Sequence, residues 1–419
     1  MTNARRGVRL GVMTITVAVA LLLAILPLGG DGSGGSVSAS PVRQTGQLIP
    51  DGLYEGDNFG FALALSADGN TAIVGMRGRN SYTGAASVFT KTGGMWSETV
   101  KLTARDGVEG DFFGVSVALS ADGNTALVGA YSAHGRTGAA YVFTQVNGGG
   151  WLQRSQLLAA DGRAGESFGS AVALNADGTL AAVGAPNAGD MGVTYLFSKG
   201  DNGWGAQARL TSSAAQVKDA FGASVSISGD GTMLLVGATG RGTNTGTVYV
   251  FGRGGGNDWA QTGQLSAGDG AAGDFFGWSV AMSADGTAAV IGTPNRAMYR
   301  GTAYLFSRGE TSWSQSAALS VSDGGANDRF GNSVAISGDG GVVIVGAPNK
   351  NRQTGTAYVF GRIGSGRDGT YTQQSKLTAD DSVTSDRYGA AVAVSRDGTT
   401  ALIGAAEHSG TSGVAYVYG

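Results

Sequence analysis

Arginine, tyrosine and histidine side chains occur together in two neighbouring segments of the chain. The six residues are Arg77, Arg79, Tyr82, Tyr131, His134 and Arg136. Arginine binds carboxylates in a bidentate geometry, and arginine and tyrosine are enriched in binding hot spots. These residues therefore predict a site for an anionic ligand. The alternative is that the arginines form ion pairs with neighbouring acidic segments or are simply solvated.

The same cluster also permits a catalytic interpretation. Tyr131, His134 and Arg136 would supply a base, an acid and a charge neutraliser for the eliminative cleavage of an acidic glycan. No partner motif accompanies them, and the sequence contains no P-loop, HExxH or GxSxG pattern. We therefore predict no catalytic residue, and a lyase-like extracellular enzyme is the alternative.

Seven carboxylates form a second candidate set, because an acidic residue stands two positions before each copy of a recurring aromatic residue. They are Asp57, Asp111, Glu166, Asp219, Asp274, Asp328 and Asp386. If the segments converge on one axis, these carboxylates would form an axial ring that could hold a cation. The structural interpretation, which we favour, is that each carboxylate caps its own turn by accepting backbone N–H groups.

Composition excludes several classes of protein. The 419 residues include no cysteine and only 2 histidines, which removes disulfides, thiolate metal sites and cysteine nucleophiles. A net charge of −3 gives no reason to expect nucleic acid as a partner. Hydrophobic residues make up 42% of the chain, which argues against disorder.

A long internal repeat must position these residues. An aromatic-Gly pair recurs seven times, and each pair is followed at constant offsets by Asp-Gly and by a further glycine. A period of this length with four strand-like segments predicts an all-β, seven-bladed β-propeller of four-stranded antiparallel blades. The aromatic residues are Phe59, Phe113, Phe168, Phe221, Phe276, Phe330 and Tyr388.

The last repeat stops at Gly419 without a fourth strand. Leu48 precedes Phe59 by the same offset that separates Leu102 from Phe113, and every other repeat has a fourth-strand leucine at this offset. We therefore predict that the N-terminal strand completes the last blade and closes the ring, which removes an exposed sheet edge.

Residues 1–40 predict an export segment. Three arginines precede an apolar run from Leu10 to Leu28, and a Gly/Ser-rich linker follows it. This pattern fits a signal peptide or an uncleaved N-terminal membrane anchor, and both place residues 41–419 outside the cell. The predicted location is therefore secreted or cell-surface, with membrane contact only through that anchor.

The aromatic-Gly pair followed by Gly-Ala-Pro, as at 184–186 and 346–348, resembles the FG-GAP repeats of the integrin α-subunit propeller. The resemblance covers residues 42–419 and implies a secreted or surface-exposed propeller. Integrin repeats carry a DxDxDG calcium loop, but the matching hairpin here (Ala118 to Leu127) retains only Asp122. Calcium takes about six to eight oxygen ligands. We therefore expect no metal site and no cofactor.

In a propeller, the loops joining strands 2 and 3 (2–3 loops) and those joining strand 4 to strand 1 of the next blade (4–1 loops) share one face. The two candidate sets fall in these loops. The predicted function is a monomeric, exported binding or adhesion module that presents this face to a protein or glycan ligand.

Overall fold

The computed structural model describes residues 42–146, 149–255, 258–310, 312–364 and 369–419. Within them, seven four-stranded antiparallel sheets form the blades of a propeller, which confirms the predicted fold class. The predicted export segment lies outside the described residues. Among the residues described, no helix is both long and apolar enough to cross a membrane.

The strands follow a regular order in which each blade runs from the axis outward. The first strand is β1 (Gln44–Leu48); blade 1 has β2 (Phe59–Leu65), β3 (Thr71–Met76), β4 (Ala85–Thr92) and β5 (Met95–Leu102); blade 2 has β6 (Ser116–Leu119), β7 (Thr125–Ala130), β8 (Ala139–Gln145) and β9 (Trp151–Leu157); blade 3 has β10 (Ala171–Leu174), β11 (Leu180–Ala185), β12 (Val193–Gly200) and β13 (Gly203–Leu210).

The remaining blades repeat this pattern. Blade 4 has β14 (Phe221–Ile227), β15 (Met233–Ala238), β16 (Thr247–Arg253) and β17 (Trp259–Leu265); blade 5 has β18 (Ser279–Met282), β19 (Ala288–Thr293), β20 (Thr302–Arg308) and β21 (Trp313–Leu319); blade 6 has β22 (Ser333–Ile336), β23 (Val342–Ala347), β24 (Thr356–Ile363) and β25 (Thr370–Leu377); blade 7 has β26 (Ala391–Val394), β27 (Ala401–Ala405) and β28 (Val414–Tyr418).

The N-terminal strand closes the ring as predicted. β1 pairs antiparallel with β28, and Leu48 lies opposite Ala415. Leu48 is buried in the same apolar cluster as Phe59 of blade 1 and Val417 of blade 7. The first and last parts of the described chain therefore share one sheet and one core.

The core lies between blades rather than within them. The cluster between blades 1 and 2, for example, joins Ile73 and Val88 to Phe113. The recurring glycines make this packing close: a Cβ added at Gly75 would lie 2.0 Å from the carbonyl oxygen of Gly114 in the next blade. The aromatic-Gly pair of one blade and the glycine in the second strand of its neighbour are thus the two sides of each blade contact.

The first strand of most blades is shorter than its sequence pattern suggests. The run FGVSVALS reads as one strand, but β6 covers only Ser116–Leu119 of it, and Gly114, which has a φ of 87°, precedes the strand. Ser116 instead donates a hydrogen bond to the Gly169 carbonyl of the next blade at 2.8 Å. The small face of the strand therefore bonds its neighbour directly.

Candidate functional site

The hairpins between strands 1 and 2 form one face of the propeller, and they are nearly identical. In blade 7, the Ser395 hydroxyl and the Thr399 backbone N–H both donate to Asp397, at 2.6 and 3.0 Å, and lower the pKa of that carboxyl. Equivalent Asp-centred turns occur in the other blades. These carboxylates are used within their own turns.

The 2–3 loops on the other face contain short left-handed turns. Asn80, Ser81 and Tyr82 have φ values of 50°, 54° and 64°, a region that residues other than glycine rarely adopt. The Tyr82 carbonyl accepts the Phe112 N–H of the next blade at 2.8 Å. The turns are Arg79–Tyr82, Ala133–Arg136, Ala188–Asp190, Arg241–Asn244, Arg296–Tyr299, Lys350–Gln353 and His408–Thr411.

The seven acidic residues of the 4–1 loops all cap turns. Each accepts the backbone N–H three positions before it at 2.7–2.9 Å. Six of them are buried, and Glu166 is partly exposed. The capping geometry is the one that the structural interpretation of this set expects. The set is Asp57, Asp111, Glu166, Asp219, Asp274, Asp328 and Asp386.

Five of these carboxylates also contact a basic side chain, which lies at a constant position further along the chain, at the start of the left-handed turn. The Arg79–Asp57 pair, with atoms 2.6 Å apart, is representative. Blades 2 and 3 have Ala133 and Ala188 in the basic position. The other pairs are Arg241–Asp219, Arg296–Asp274, Lys350–Asp328 and His408–Asp386.

The six residues predicted from blades 1 and 2 separate into three groups: Arg79 alone, His134 with Arg136, and the other three. Arg79 belongs to the paired class just described. The His134 ring contacts Asp106 at 3.3 Å and Gln156 at 2.6 Å, and the exposed Arg136 follows it in the left-handed turn. The structure shows no contact that joins His134 to Tyr131 among the described residues.

Arg77, Tyr82 and Tyr131 form the third group, together with two phenylalanines that the sequence analysis did not select. Phe112 lies between the two tyrosines, with ring centroids 5.1 Å from each. The Arg77 guanidinium lies 3.8 Å from the Phe61 ring centroid. Burial lowers the pKa of Arg77, and the neighbouring tyrosines oppose this shift.

A cavity of about 830 Å³ lies on the axis, lined by first-strand residues of all seven blades. Its lining includes Phe61, Trp278, Arg329 and Arg387, together with Pro348 at the end of β23, so it opens on the loop face. Among the described residues, this lining contains no carboxylate, and the seven capping carboxylates lie outside it.

Arg329 and Arg387 are therefore site residues that the sequence analysis missed. Both occupy the position directly before the aromatic-Gly pair, where other blades carry Asn58 or Phe112. Arg387 contacts Glu407 at 3.3 Å, and Arg329 lies 5.6 Å from the Tyr299 ring centroid. The sequence could have indicated them, because they place a basic residue at a repeat position beside the axis where the other blades carry none.

The sequence matches the FG-GAP repeat family in six segments, which together cover more than half of the chain. A comparison with curated proteins finds no match. Among solved structures, the chain is similar to hydrazine synthase of Kuenenia stuttgartiensis, with 14% identity, a TM-score of 0.56, and coverage of 86% of this chain and 95% of that chain. That likeness concerns the fold alone. The six segments are residues 96–143, 151–197, 204–251, 259–306, 313–360 and 371–418.

Proposed function

The chain belongs to the FG-GAP repeat family, and on that premise we propose that it is an exported binding module. It acts at the cell surface or outside the cell, where its loop face binds a protein or glycan ligand without catalysis. FG-GAP repeats are typical of extracellular or surface proteins. The basic residues before the apolar run at 10–28 support export.

The contrast between the two faces is the observation that carries the proposal. The hairpin face repeats one turn seven times, with each Asp satisfied by its own neighbours. The 2–3 loops differ in sequence from blade to blade, and Tyr82, Met298 and Tyr299 expose 48%, 76% and 45% of their surface there. Specific recognition requires surface that differs between positions, and exposed aromatic side chains are common binding anchors.

The test compares the two faces in one protein. The complete 419-residue chain is screened against an array of glycans and a panel of surface-protein ectodomains. Each positive ligand is then titrated with a loop-face variant, Tyr82→Ala/Tyr131→Ala/Arg136→Ala, and with a hairpin-face variant, Asn70→Ala/Asn124→Ala. Both hairpin residues are exposed, and their side chains bond only the Asp of their own turn.

We expect the loop-face variant to weaken binding at least tenfold and the hairpin-face variant to change it less than twofold. Circular dichroism checks that both variants keep the wild-type strand signal. Equal losses from both variants, or a loss from the hairpin-face variant alone, would contradict the assignment of the face. Turnover of any bound glycan would contradict the proposal that binding occurs without catalysis.

A further inference from the structure

Six arginines near the loop face fall into two classes. Arg79, Arg241 and Arg296 each contact a buried capping carboxylate, and their side chains are 15–22% exposed. These cations hold the 4–1 loop of their own blade. Such pairs leave little charge for a ligand, because an acidic partner already lies against each guanidinium.

Arg77, Arg329 and Arg387 form the other class: Arg329 and Arg387 line the axial cavity, and Arg77 stacks on Phe61, which also lines it. Arg77 and Arg329 contact aromatic rings rather than carboxylates. Glu407, which is paired with Arg387, is the one carboxylate that the described residues place in contact with this class. The mouth of the cavity therefore carries an excess of positive charge.

Buried polar atoms without a partner occur at the same place. The Arg77 Nε, the Arg387 Nε and the Ser170 hydroxyl are all buried and make no hydrogen bond within the described chain. Ser170 and Arg387 line the cavity, and Arg77 stacks on Phe61, which also lines it. An unpaired buried polar atom is destabilising unless a partner, such as a ligand or a water molecule, satisfies it.

The volume and the aromatic lining indicate the kind of ligand. A cavity of about 830 Å³ has the size of a small-molecule site and admits a few sugar rings. Trp278 lines it and exposes 43% of its surface, so its indole is accessible to the C–H face of a pyranose. The arginines favour a carboxylate, which guanidinium binds in a bidentate geometry.

We propose that the axial cavity binds a uronic acid unit of an acidic glycan. Arg77 and Arg387 pair with the sugar carboxylate, Ser170 bonds a sugar hydroxyl, and Phe61 and Trp278 pack against the ring. This inference rests on the proposed binding function and names its ligand class and its position. The proposed binding site is therefore the axial cavity, next to the 2–3 loops of blades 1 and 2.

The probe is trigalacturonate, titrated into the complete chain by calorimetry. Its methyl ester is the matched neutral ligand, and poly-L-glutamate tests whether an acidic peptide is the better partner. We expect Arg77→Gln and Arg387→Gln each to weaken trigalacturonate binding at least tenfold, and the methyl ester to bind the wild type at least tenfold more weakly than the acid.

Arg163→Gln is the control, because this exposed arginine lies on a 4–1 loop of the same face and its loss changes the net charge equally. It should alter the affinity less than twofold. If either arginine variant fails to fold, Ser170→Ala at the cavity wall should still weaken binding about threefold or more, and Trp278→Phe should abolish the ligand-induced change in tryptophan fluorescence.

Three results would overturn the proposal: no binding of trigalacturonate, equal affinity for acid and ester, or tighter binding of poly-L-glutamate that persists in Arg387→Gln. These outcomes leave the proposed function intact if the ligands from the screen still depend on Tyr82 and Tyr131. Dependence on the hairpin face would instead contradict the proposed function itself.

Discussion

Replacing Leu48 by alanine tests whether β1 is a structural part of blade 7. Leu48 is 1% exposed, and its cluster includes Phe59 and Val417. Truncating a buried leucine to alanine costs about 2–5 kcal/mol of unfolding free energy, and an intermediate value of about 3 kcal/mol is expected here. Leu102 occupies the same place in blade 1 and is 3% exposed. Leu102→Ala is therefore the matched control, with the same expected loss.

Thermal unfolding, followed by calorimetry or circular dichroism, measures both effects. An unfolding entropy of about 2.1 cal/mol/K per residue over about 380 residues makes 3 kcal/mol equivalent to a fall of about 4 °C in Tm. If Leu48→Ala changes Tm by less than about 1 °C while Leu102→Ala lowers it by about 4 °C, β1 does not contribute to the ring and the closure is refuted. Similar shifts for both variants support it.

Two further predictions concern blade contacts and alkaline pH. Gly75→Ala should lower the free energy of unfolding by about 3 kcal/mol, because its Cβ would lie 2.0 Å from the Gly114 carbonyl oxygen. The control is Gly205→Ala in β13, where a Cβ would meet no atom within 4 Å, and it should have almost no effect on Tm. Burial and the hydrogen bond to Asp161 raise the pKa of Tyr195 to about 12. Because this pKa is higher in the folded than in the unfolded chain, the stability that the hydroxyl provides is complete below about pH 10 and is lost as the pH rises toward about 12. Tm measured from pH 8 to 12 should therefore fall above pH 10 in the wild type and fall less in Tyr195→Phe, and a pH-independent Tm would contradict this.

The fold was predictable because the repeat fixes both the blade number and the register of closure. One offset, from leucine to the aromatic-Gly pair, places Leu48 in the last sheet although its partner Ala415 lies at the opposite end of the chain. The extent of the first strands was not predictable from alternation alone. Gly60, Gly114 and Gly222 all have a positive φ in the same pattern of apolar residues, yet the strand includes Gly60 and Gly222 and excludes Gly114.

The left-handed turns of the 2–3 loops were hidden for a different reason. Residues such as Ser81 and Tyr82 show no preference for positive φ, so tertiary contacts impose it. The Tyr82 carbonyl is aimed at the next blade, where the Phe112 N–H satisfies it. The pairing of Arg79 with Asp57, in contrast, was visible as a constant spacing between acid and base that only a comparison of all the blades reveals.

In a repeat of this kind, residues that recur in every blade have structural roles, and residues that differ from the repeat are candidates for ligand recognition. The capping carboxylates recur in every blade, and each accepts a backbone N–H of its own turn. Arg77 stands where blades 3, 5 and 6 carry proline, and Arg387 stands where blades 3 and 4 carry Ser167 and Ala220. Arg77 stacks on Phe61 and Arg387 contacts Glu407 at 3.3 Å, but the Nε of each is buried and makes no hydrogen bond within the described chain. Two guanidinium groups that depart from the repeat beside the axial cavity, each with an unbonded Nε, therefore offer polar atoms that a partner from outside the chain would satisfy.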